Sequence, residues 1–252
     1  MKAIRFVCLL TFTLVVAATS MLAQSWDAVS GSSSADREMQ RGISVQIAAS
    51  RTAQSMSAAD DLDAWVVTVS DSGDLYFRTD LVTFNELIES MKVHPRKRVQ
   101  RLYIKADART QYANVEKALV AARAALFEAP VLLTSQKDSH VTPGKMTPPV
   151  GLEVWAGPAA AQDTAKLGTA PTVVEIFLST GSLPQLKVNG ENIPWTRLGD
   201  VLNRLPASER RVYVQAAREL PFLEVVSVLD LCRSAGAAVV LAPEDDAGHS
   251  EI

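Results

Sequence analysis

The sequence has few of the side chains that build metal and redox sites: two cysteines and three histidines among 252 residues. His94, His140 and His249 lie in a loop before a proline, a proline-containing connection and the C-terminal tail, with no second ligand at metal spacing. Cys8 belongs to an N-terminal apolar run, and Cys232 falls on the apolar face of a predicted helix, which favours a buried thiol. We therefore expect no metal site, no cofactor and no intrachain disulfide.

The sequence also lacks a strong net charge and the common catalytic motifs. A formal net charge of -3 provides no field that would gather a polyanion, so we expect no nucleic-acid partner. No nucleophile elbow, no Walker A loop and no dinucleotide-binding glycine motif is present. These absences favour a protein that is not an enzyme.

Only the N-terminus contains an apolar run of export type. Lys2 and Arg5 precede a run from Phe6 to about Ala18, and small residues follow up to Ala23. This pattern is typical of a secretory signal peptide cleaved after Ala23, while an uncleaved membrane anchor over residues 1–23 stays open. Either outcome predicts an exported, periplasmic chain, free or anchored in the inner membrane, with a linker over residues 24–41.

A repeat at a shift of about 110 residues organises the rest of the chain. "LYIKADART" (Leu102–Thr110) corresponds to "VYVQAAREL" (Val212–Leu220), and both precede an apolar helical pattern. We predict a first domain at 42–134, a linker at 135–150, a second domain at 151–243 and an acidic tail at 244–252.

Each copy is predicted to form a strand, a hairpin, a helix, a strand, a second helix and a strand. This order indicates an α/β (α+β) fold in which a mixed β-sheet carries two helices packed on one face. Local signals support it: a capping box at Thr83 and Glu86, a turn at Asn189–Gly190, and Gly236 where a left-handed helix end belongs.

The helical stripes give the expected lengths and buried positions. The first helix of copy two starts with Pro194 at its first position. The second helix of copy one runs from about Tyr112 to Phe127. Its stripe is Val115, Leu119, Ala122 and Leu126, and the stripe of its counterpart is Phe222, Val225, Val226, Leu229 and Cys232.

With these elements in order, each half resembles the periplasmic domain of the ExbD/TolR biopolymer-transport family. "GISV", "VSDSGDLYF", "VTFNEL" and "LYIKADART" carry the resemblance in copy one, and "GLEV", "LKVNGENIPWTRL" and "VYVQAAREL" in copy two. The resemblance implies a strand-end acid at Asp107, where copy two has Ala217. It also implies domains that pair through a leading strand, here as an intramolecular pseudo-dimer, with a homo-oligomer left open.

Two groups of residues are therefore candidates for contacts. Strand addition to a neighbouring sheet is predicted for Gly42, Ile43 and Val45 in copy one and for Gly151, Leu152 and Val154 in copy two. A basic loop is a candidate contact for an anionic polymer or an acidic partner, and it contains Arg96, Lys97, Arg98 and Arg101.

The expected function is that of a non-catalytic cell-envelope protein. Its partner would be an envelope protein or peptidoglycan, in a TonB/Tol-like system for transport or envelope integrity. One alternative is a membrane-anchored subunit of a proton-driven transport motor, although residues 6–23 contain no acidic residue for proton coupling. A further alternative is a secreted enzyme or small-ligand protein whose site is not recognisable from the sequence.

Overall fold

Two mixed β-sheets and four α-helices form the part of the chain described by the computed structural model. That part comprises residues 43–94, 100–136, 148–157, 171–178, 183–206 and 210–242. The predicted α/β class is confirmed.

The first sheet has a parallel centre and an antiparallel hairpin at one edge. Its strand order is β2-β8-β7-β6-β3-β4-β5, with β1 also paired to β7. β3, β6 and β7 run parallel, and β8 is antiparallel to β7. The strands are β1 (Ala49–Ser50), β2 (Gln54–Ser55), β3 (Trp65–Val69), β4 (Leu75–Phe77), β5 (Asp80–Val82), β6 (Leu102–Ala106), β7 (Val131–Gln136) and β8 (Val150–Glu153).

The second sheet repeats the central topology of the first. Its order is β12-β11-β10-β13-β14-β9, so its first five strands correspond one by one to β5-β4-β3-β6-β7. The strands are β9 (Trp155–Ala156), β10 (Thr172–Leu178), β11 (Pro184–Val188), β12 (Glu191–Ile193), β13 (Arg211–Ala216) and β14 (Ala238–Leu241). The sequence repeat therefore corresponds to a repeat of strand order, and we refer to its two parts as the first and second halves.

The four helices are α1 (Phe84–Val93), α2 (Tyr112–Ala124), α3 (Leu198–Asn203) and α4 (Phe222–Ser234). The predicted capping box at α1 is confirmed: the Thr83 hydroxyl accepts from the Glu86 N–H, and the Glu86 carboxylate accepts from the Thr83 N–H. The prediction for Pro194 is wrong, because this residue precedes a 3₁₀ turn (Trp195–Arg197) and α3 begins only at Leu198. Gly199 inside α3 disfavours a longer helix there.

The ends of α2 and α4 have the same left-handed turn. Gly236 has φ 74°, which confirms its predicted role, and Leu126 has φ 62° at the matching position. In each turn an N–H bonds back to a carbonyl five residues earlier, from Phe127 to Ala122 and from Ala237 to Cys232. The placement of Leu126 in the apolar stripe is therefore wrong: α2 has already ended, and this side chain is 76% exposed.

The predicted turn at Asn189–Gly190 is confirmed. Both residues have positive φ, 50° and 85°, and they join β11 to β12 with a two-residue loop. This is the geometry whose twist matches the flanking strands and that favours an Asn-Gly pair.

One apolar core runs through both halves. It contains Val67 and Leu119 from the first half and Val214 and Leu229 from the second, all of them buried. The outer face of the first sheet is covered by residues 56–64, which place Met56 and Ala59 against it. The described residues belong to one compact unit.

The predicted leading strand of the first copy is not formed by the described residues of "GISV". Ile43, Ser44 and Val45 have no strand pairing, and Gly42 lies outside the described residues. The first paired strand is β1, which lies parallel to the end of β7. The chain before β1 is instead tied to Asp107, which accepts from the Gln46 N–H, while the Gln46 carbonyl accepts from Ala108.

Candidate functional site

The two halves meet where a strand leads into a helix in each of them. The N–H groups of Tyr112 and Ala113 donate to the carbonyls of Leu220 (2.7 Å) and Arg218 (2.9 Å). The same bonds occur with the halves exchanged: the N–H groups of Phe222 and Leu223 donate to Thr110 (2.8 Å) and Ala108 (2.9 Å). Each pair of partners differs from its counterpart by 110 residue numbers, as 222 − 112 shows for the first donors. The junction therefore has a local twofold relation.

These four bonds cap the two helices. The first N–H groups of a helix have no acceptor within the helix and need one from elsewhere. Gln111 and Pro221 stand at the cap positions of α2 and α4, and neither supplies a side-chain acceptor. Each helix is thus capped by main-chain carbonyls of the other half, an arrangement we call the reciprocal cap.

An ion pair between an exposed arginine and a buried glutamate lies beside the reciprocal cap. The Arg218 Nε is 3.2 Å from a carboxylate oxygen of Glu116, which is 7% exposed and belongs to α2. Burial raises the pKa of the neighbouring Tyr112 well above its ordinary range, and the Glu116 charge raises it further. Tyr112 is therefore a neutral core residue. The Arg218–Glu116 ion pair adds an electrostatic contact between the two halves to the main-chain bonds of the reciprocal cap.

The strand β8 connects the halves a second time. Gly151 and Leu152 of the predicted partner-binding strand lie in β8, which pairs with β7 of the first half. Val154 follows the strand, and its N–H donates to the Pro130 carbonyl. Gly151 fits here because a Cβ would stand 2.8 Å from the Leu132 carbonyl oxygen and 2.6 Å from a Val131 methyl.

Glu153 at the end of β8 is held from both halves. Its carboxylate accepts from Arg101 Nη1 at 3.0 Å, and its main-chain oxygen accepts from Arg233 Nη1 at 2.7 Å. Arg101, a predicted contact residue, therefore has an internal partner. Arg96, Lys97 and Arg98 lie outside the described residues.

A short N-terminal segment, residues 46–52, makes a third connection. The Asp230 carboxylate on α4 accepts from the hydroxyls of Ser50 and Thr52, both at 2.6 Å, and from the N–H groups of Arg51 and Thr52. Desolvation raises the pKa of Asp230, but these hydrogen bonds together outweigh it and leave the pKa below its ordinary value. Asp230 is therefore ionised near neutral pH and fixes the segment.

The strand-end acid Asp107 has its hydrogen-bonding capacity occupied within the fold. Arg109 donates to it from Nε (2.9 Å), from Nη2 (3.1 Å) and from its N–H (3.0 Å), and Gln46 adds a fourth bond. The side-chain bond to Arg109 lowers the pKa of Asp107 most, desolvation opposes it, and the main-chain bonds lower it further. The arrangement fixes the end of β6 against the N-terminal segment.

A buried polar group lies under the covering segment on the outer face of the first sheet. Lys105 is 3% exposed, and burial lowers its pKa to about 8 against the opposing effect of Asp60. Thr68 lies directly across from Lys105 on β3, and its hydroxyl has no hydrogen-bond partner. Sequence reasoning missed this group because residues 56–64 show no periodicity that would indicate a cover over this face.

A groove between the two halves, which we call the arginine groove, has a volume of about 430 Å³. Arg123 and Phe127 line it from the first half, and Trp155, Arg211 and Tyr213 from the second. Trp155 is 48% exposed, unlike Trp65, which is buried, and Trp195, whose Nε1 donates to the Pro184 carbonyl. Sequence reasoning missed the groove because its walls are more than 25 residues apart in the chain.

The remaining predicted features have simpler positions. Cys232 is fully buried, as predicted, and burial raises its pKa to about 12. His94 is the C-cap residue that follows α1, while His140 and His249 lie outside the described residues. Among the described residues, no three His, Cys, Asp or Glu side chains are grouped to hold a metal ion.

The search for membrane-spanning helices and the comparisons with known proteins do not assign the chain to a family. None of the helices in the described part is long and apolar enough to cross a membrane, and residues 1–23 lie outside that part. Comparisons of the chain with family models, with curated proteins and with solved structures gave no match.

Proposed function

We propose that the chain is a non-catalytic cell-envelope protein, built from two modules that resemble the periplasmic domain of the ExbD/TolR family. In this proposal the modules pair as a pseudo-dimer within one chain and bind a partner protein or peptidoglycan. The reciprocal cap is the observation that carries the proposal, because it is the contact expected of two equivalent modules that pair about a twofold axis.

Physical reasons support a paired unit. In a separated half, the first N–H groups of α2 or α4 would lose their carbonyl acceptors, and Glu116 would lose its guanidinium partner. The first sheet would also lose β8, which comes from the chain of the second half. The pairing therefore supplies bonds that neither half supplies for itself.

The roles of the acidic side chains support binding over catalysis. Asp107 and Asp230 each accept several hydrogen bonds from the fold, so their carboxylates are committed to positioning chain segments. In this proposal the paired unit binds a second molecule through its outer surface.

The location is tested by expressing the full chain in a Gram-negative host and measuring its intact mass and cellular fraction. We expect a chain that begins near Gln24 and is found in the soluble periplasm. A full-length chain in the inner membrane would instead support the anchored motor subunit. A chain recovered in the cytoplasm at full length would overturn the envelope assignment.

Binding is tested by co-sedimentation with purified peptidoglycan and by cross-linking in intact cells. If the polymer is the partner, the triple variant Arg96→Gln, Lys97→Gln, Arg98→Gln should sediment several-fold less than the natural chain. The matched control Lys117→Gln, Arg197→Gln, Arg204→Gln removes the same charge from exposed positions elsewhere and should sediment normally. Absence of both sedimentation and cross-linked partners would overturn the binding function.

A further inference from the structure

The arginine groove contains arginines that match those of the Glu153 site under the local twofold relation, although β8 is antiparallel to β7 and β9 is parallel to β14. Adding 110 to the numbers of Arg101 and Arg123 gives Arg211 and Arg233. Arg101 and Arg233 hold Glu153 in one site, and Arg211 and Arg123 line the groove in the other. The two sites are thus built from equivalent arginines.

The difference between the sites lies in the residue on the neighbouring strand. In the first site Glu153 is directly across from Val131, and in the second Trp155 is directly across from Val240. Val131 and Val240 correspond, because they face Tyr103 and Tyr213 in the same register. A tryptophan therefore stands where the first site has its carboxylate.

This substitution leaves the groove with unused positive charge. Among the described residues, the side chains of Arg123 and Arg211 form no ion pair or hydrogen bond, and both residues are exposed. Glu128 is the one acidic residue lining the groove, so its described walls carry an excess of one positive charge. Arginine presents a planar set of donors that matches a carboxylate.

The apolar walls define the second part of the expected ligand. Trp155 offers a half-exposed ring, and Phe127 and Leu126 lie along the same groove. The position of Trp155 is fixed, since the Ala156 N–H donates to Glu128 and β9 is paired with β14. Gly157 keeps the backbone close to Val240, where a Cβ would stand 2.4 Å from a methyl carbon.

We propose that the arginine groove binds an acidic peptide, with a Glu or Asp carboxylate between Arg123 and Arg211 and a neighbouring apolar side chain on Trp155. The internal precedent is β8 itself, an extended segment in which Leu152 precedes Glu153. Arg101, the equivalent of Arg211, holds the Glu153 carboxylate, and Arg233, the equivalent of Arg123, holds its main-chain oxygen. A volume of about 430 Å³ is within the range of ligand sites and suits two or three side chains. The inference needs only the geometry of the groove, so it stands apart from the envelope assignment.

The test uses two synthetic peptides, acetyl-Gly-Leu-Glu-Leu-amide and the same peptide with Gln in place of Glu. Binding is followed through the indole N–H resonance of Trp155, which is assigned with Trp155→Phe. We expect the Glu peptide to bind at least tenfold more tightly, and Arg123→Gln or Arg211→Gln to remove that preference. The control Lys117→Gln, on the same helix as Arg123, removes an equal charge and should keep the preference.

Three outcomes would overturn the proposal. Equal affinity for the two peptides would show that the groove does not distinguish a carboxylate from an amide. An unchanged preference in both arginine variants would place the carboxylate elsewhere, provided that their unfolding midpoints match the natural chain. N-acetylglutamate amide binding as tightly as the peptide would make the occupant a small carboxylate and not a peptide.

Discussion

Lys105 links the stability of the protein to pH through a single buried amine. Its folded pKa of about 8 is below its ordinary value of 10.5, so the unfolded chain binds more protons between these values. Stability therefore rises with pH in this window, by roughly 1 kcal/mol between pH 7.5 and 9. We expect urea unfolding of Lys105→Met to lose most of this rise.

The window ends at pH 9 because Cys232 acts in the opposite direction above it. Burial raises the thiol pKa from 9.0 to about 12, so its contribution to stability is lost as the pH rises through those values. The control Lys117→Met removes an exposed amine and should keep the rise. An unchanged rise in Lys105→Met would show that another group causes it.

Leu126 has a backbone conformation that suits glycine better. A non-glycine residue in the left-handed region costs roughly 1–2 kcal/mol, partly offset by the larger chain entropy of glycine when unfolded. We predict that Leu126→Gly stabilises the protein by about 0.5–1 kcal/mol in urea unfolding. Gly236→Ala, at the matching turn, should destabilise by about the same amount, and a loss of stability in Leu126→Gly would contradict the argument.

The sequence revealed one of these turns and not the other. Glycine at position 236 predicts a left-handed helix end, whereas Leu126 adopts a similar positive φ without any signal in its residue type. Lys105 was equally hidden, because its burial depends on residues 56–64, which fold over the sheet without a period of their own. Residue identity thus predicted local geometry only where one residue type strongly favours it.

The segment around β1 depends on a single carboxylate on α4. Asp230 accepts two hydroxyl and two main-chain donors from residues 50–52. We expect Asp230→Ala to cost about 2 kcal/mol in unfolding free energy, since hydrogen bonds to charged groups contribute more than neutral ones. The amides of Arg51 and Thr52 should also exchange faster with solvent.

The same carboxylate predicts an acid dependence. Because the folded pKa of Asp230 is lowered below 3.8, its contribution is present above that value and is lost as the pH falls through the folded pKa. Asp230→Ala should lack this part of the acid transition. The exposed Glu219→Ala is the control, and identical amide exchange in both variants would contradict the role of Asp230.

The elements themselves were well predicted where their signals are local. The capping box at Thr83, the Asn189–Gly190 turn and the apolar stripe of α4 follow from spacing within a few residues. The leading strand of the first half was misplaced, because Asp107 and Asp230 determine its path from 61 and 180 residues away. Short extended segments have little periodicity that would compete with such contacts.

The pairing of the halves makes β8 a sensitive point for the whole molecule. A methyl group at Gly151 would contact the Leu132 carbonyl oxygen at 2.8 Å, which the backbone of β7 must accommodate. We predict that Gly151→Ala destabilises by about 2 kcal/mol, a typical cost of overpacking. Because one core includes both halves, unfolding should remain a single transition when followed by amide exchange in β6 and β13.

Gly199→Ala serves as the matched control, since a Cβ there meets no atom within 4 Å. It lies in α3, where alanine favours the helix more than glycine, so a small gain in stability is expected. If the first half unfolded alone in Gly151→Ala, the halves would not act as one cooperative unit.

The sequence predicted that two similar halves exist but could not predict how each completes the other. Alanine, threonine and leucine at positions 108, 110 and 220 show no sign of capping, because the acceptors are main-chain carbonyls. The arginine groove could not be predicted for a related reason. In the sequence, Arg123 and Arg211 resemble ordinary exposed cations. Their equivalence to Arg233 and Arg101 becomes visible only through the local twofold relation. Features that arise from the symmetry of the two halves can be recognised only in the folded structure.

The position of β8 also sets the order in which the chain can finish folding. Synthesis proceeds from the N-terminus, so the first sheet lacks β8 until residue 153 has been synthesised. Because β2 pairs with β8, β2 cannot join the sheet before then either. Until then the edge of β7 that β8 will occupy stays open to strands of other molecules. A chain truncated before residue 148 should therefore aggregate more readily than the full chain, because nothing would cover this edge of β7.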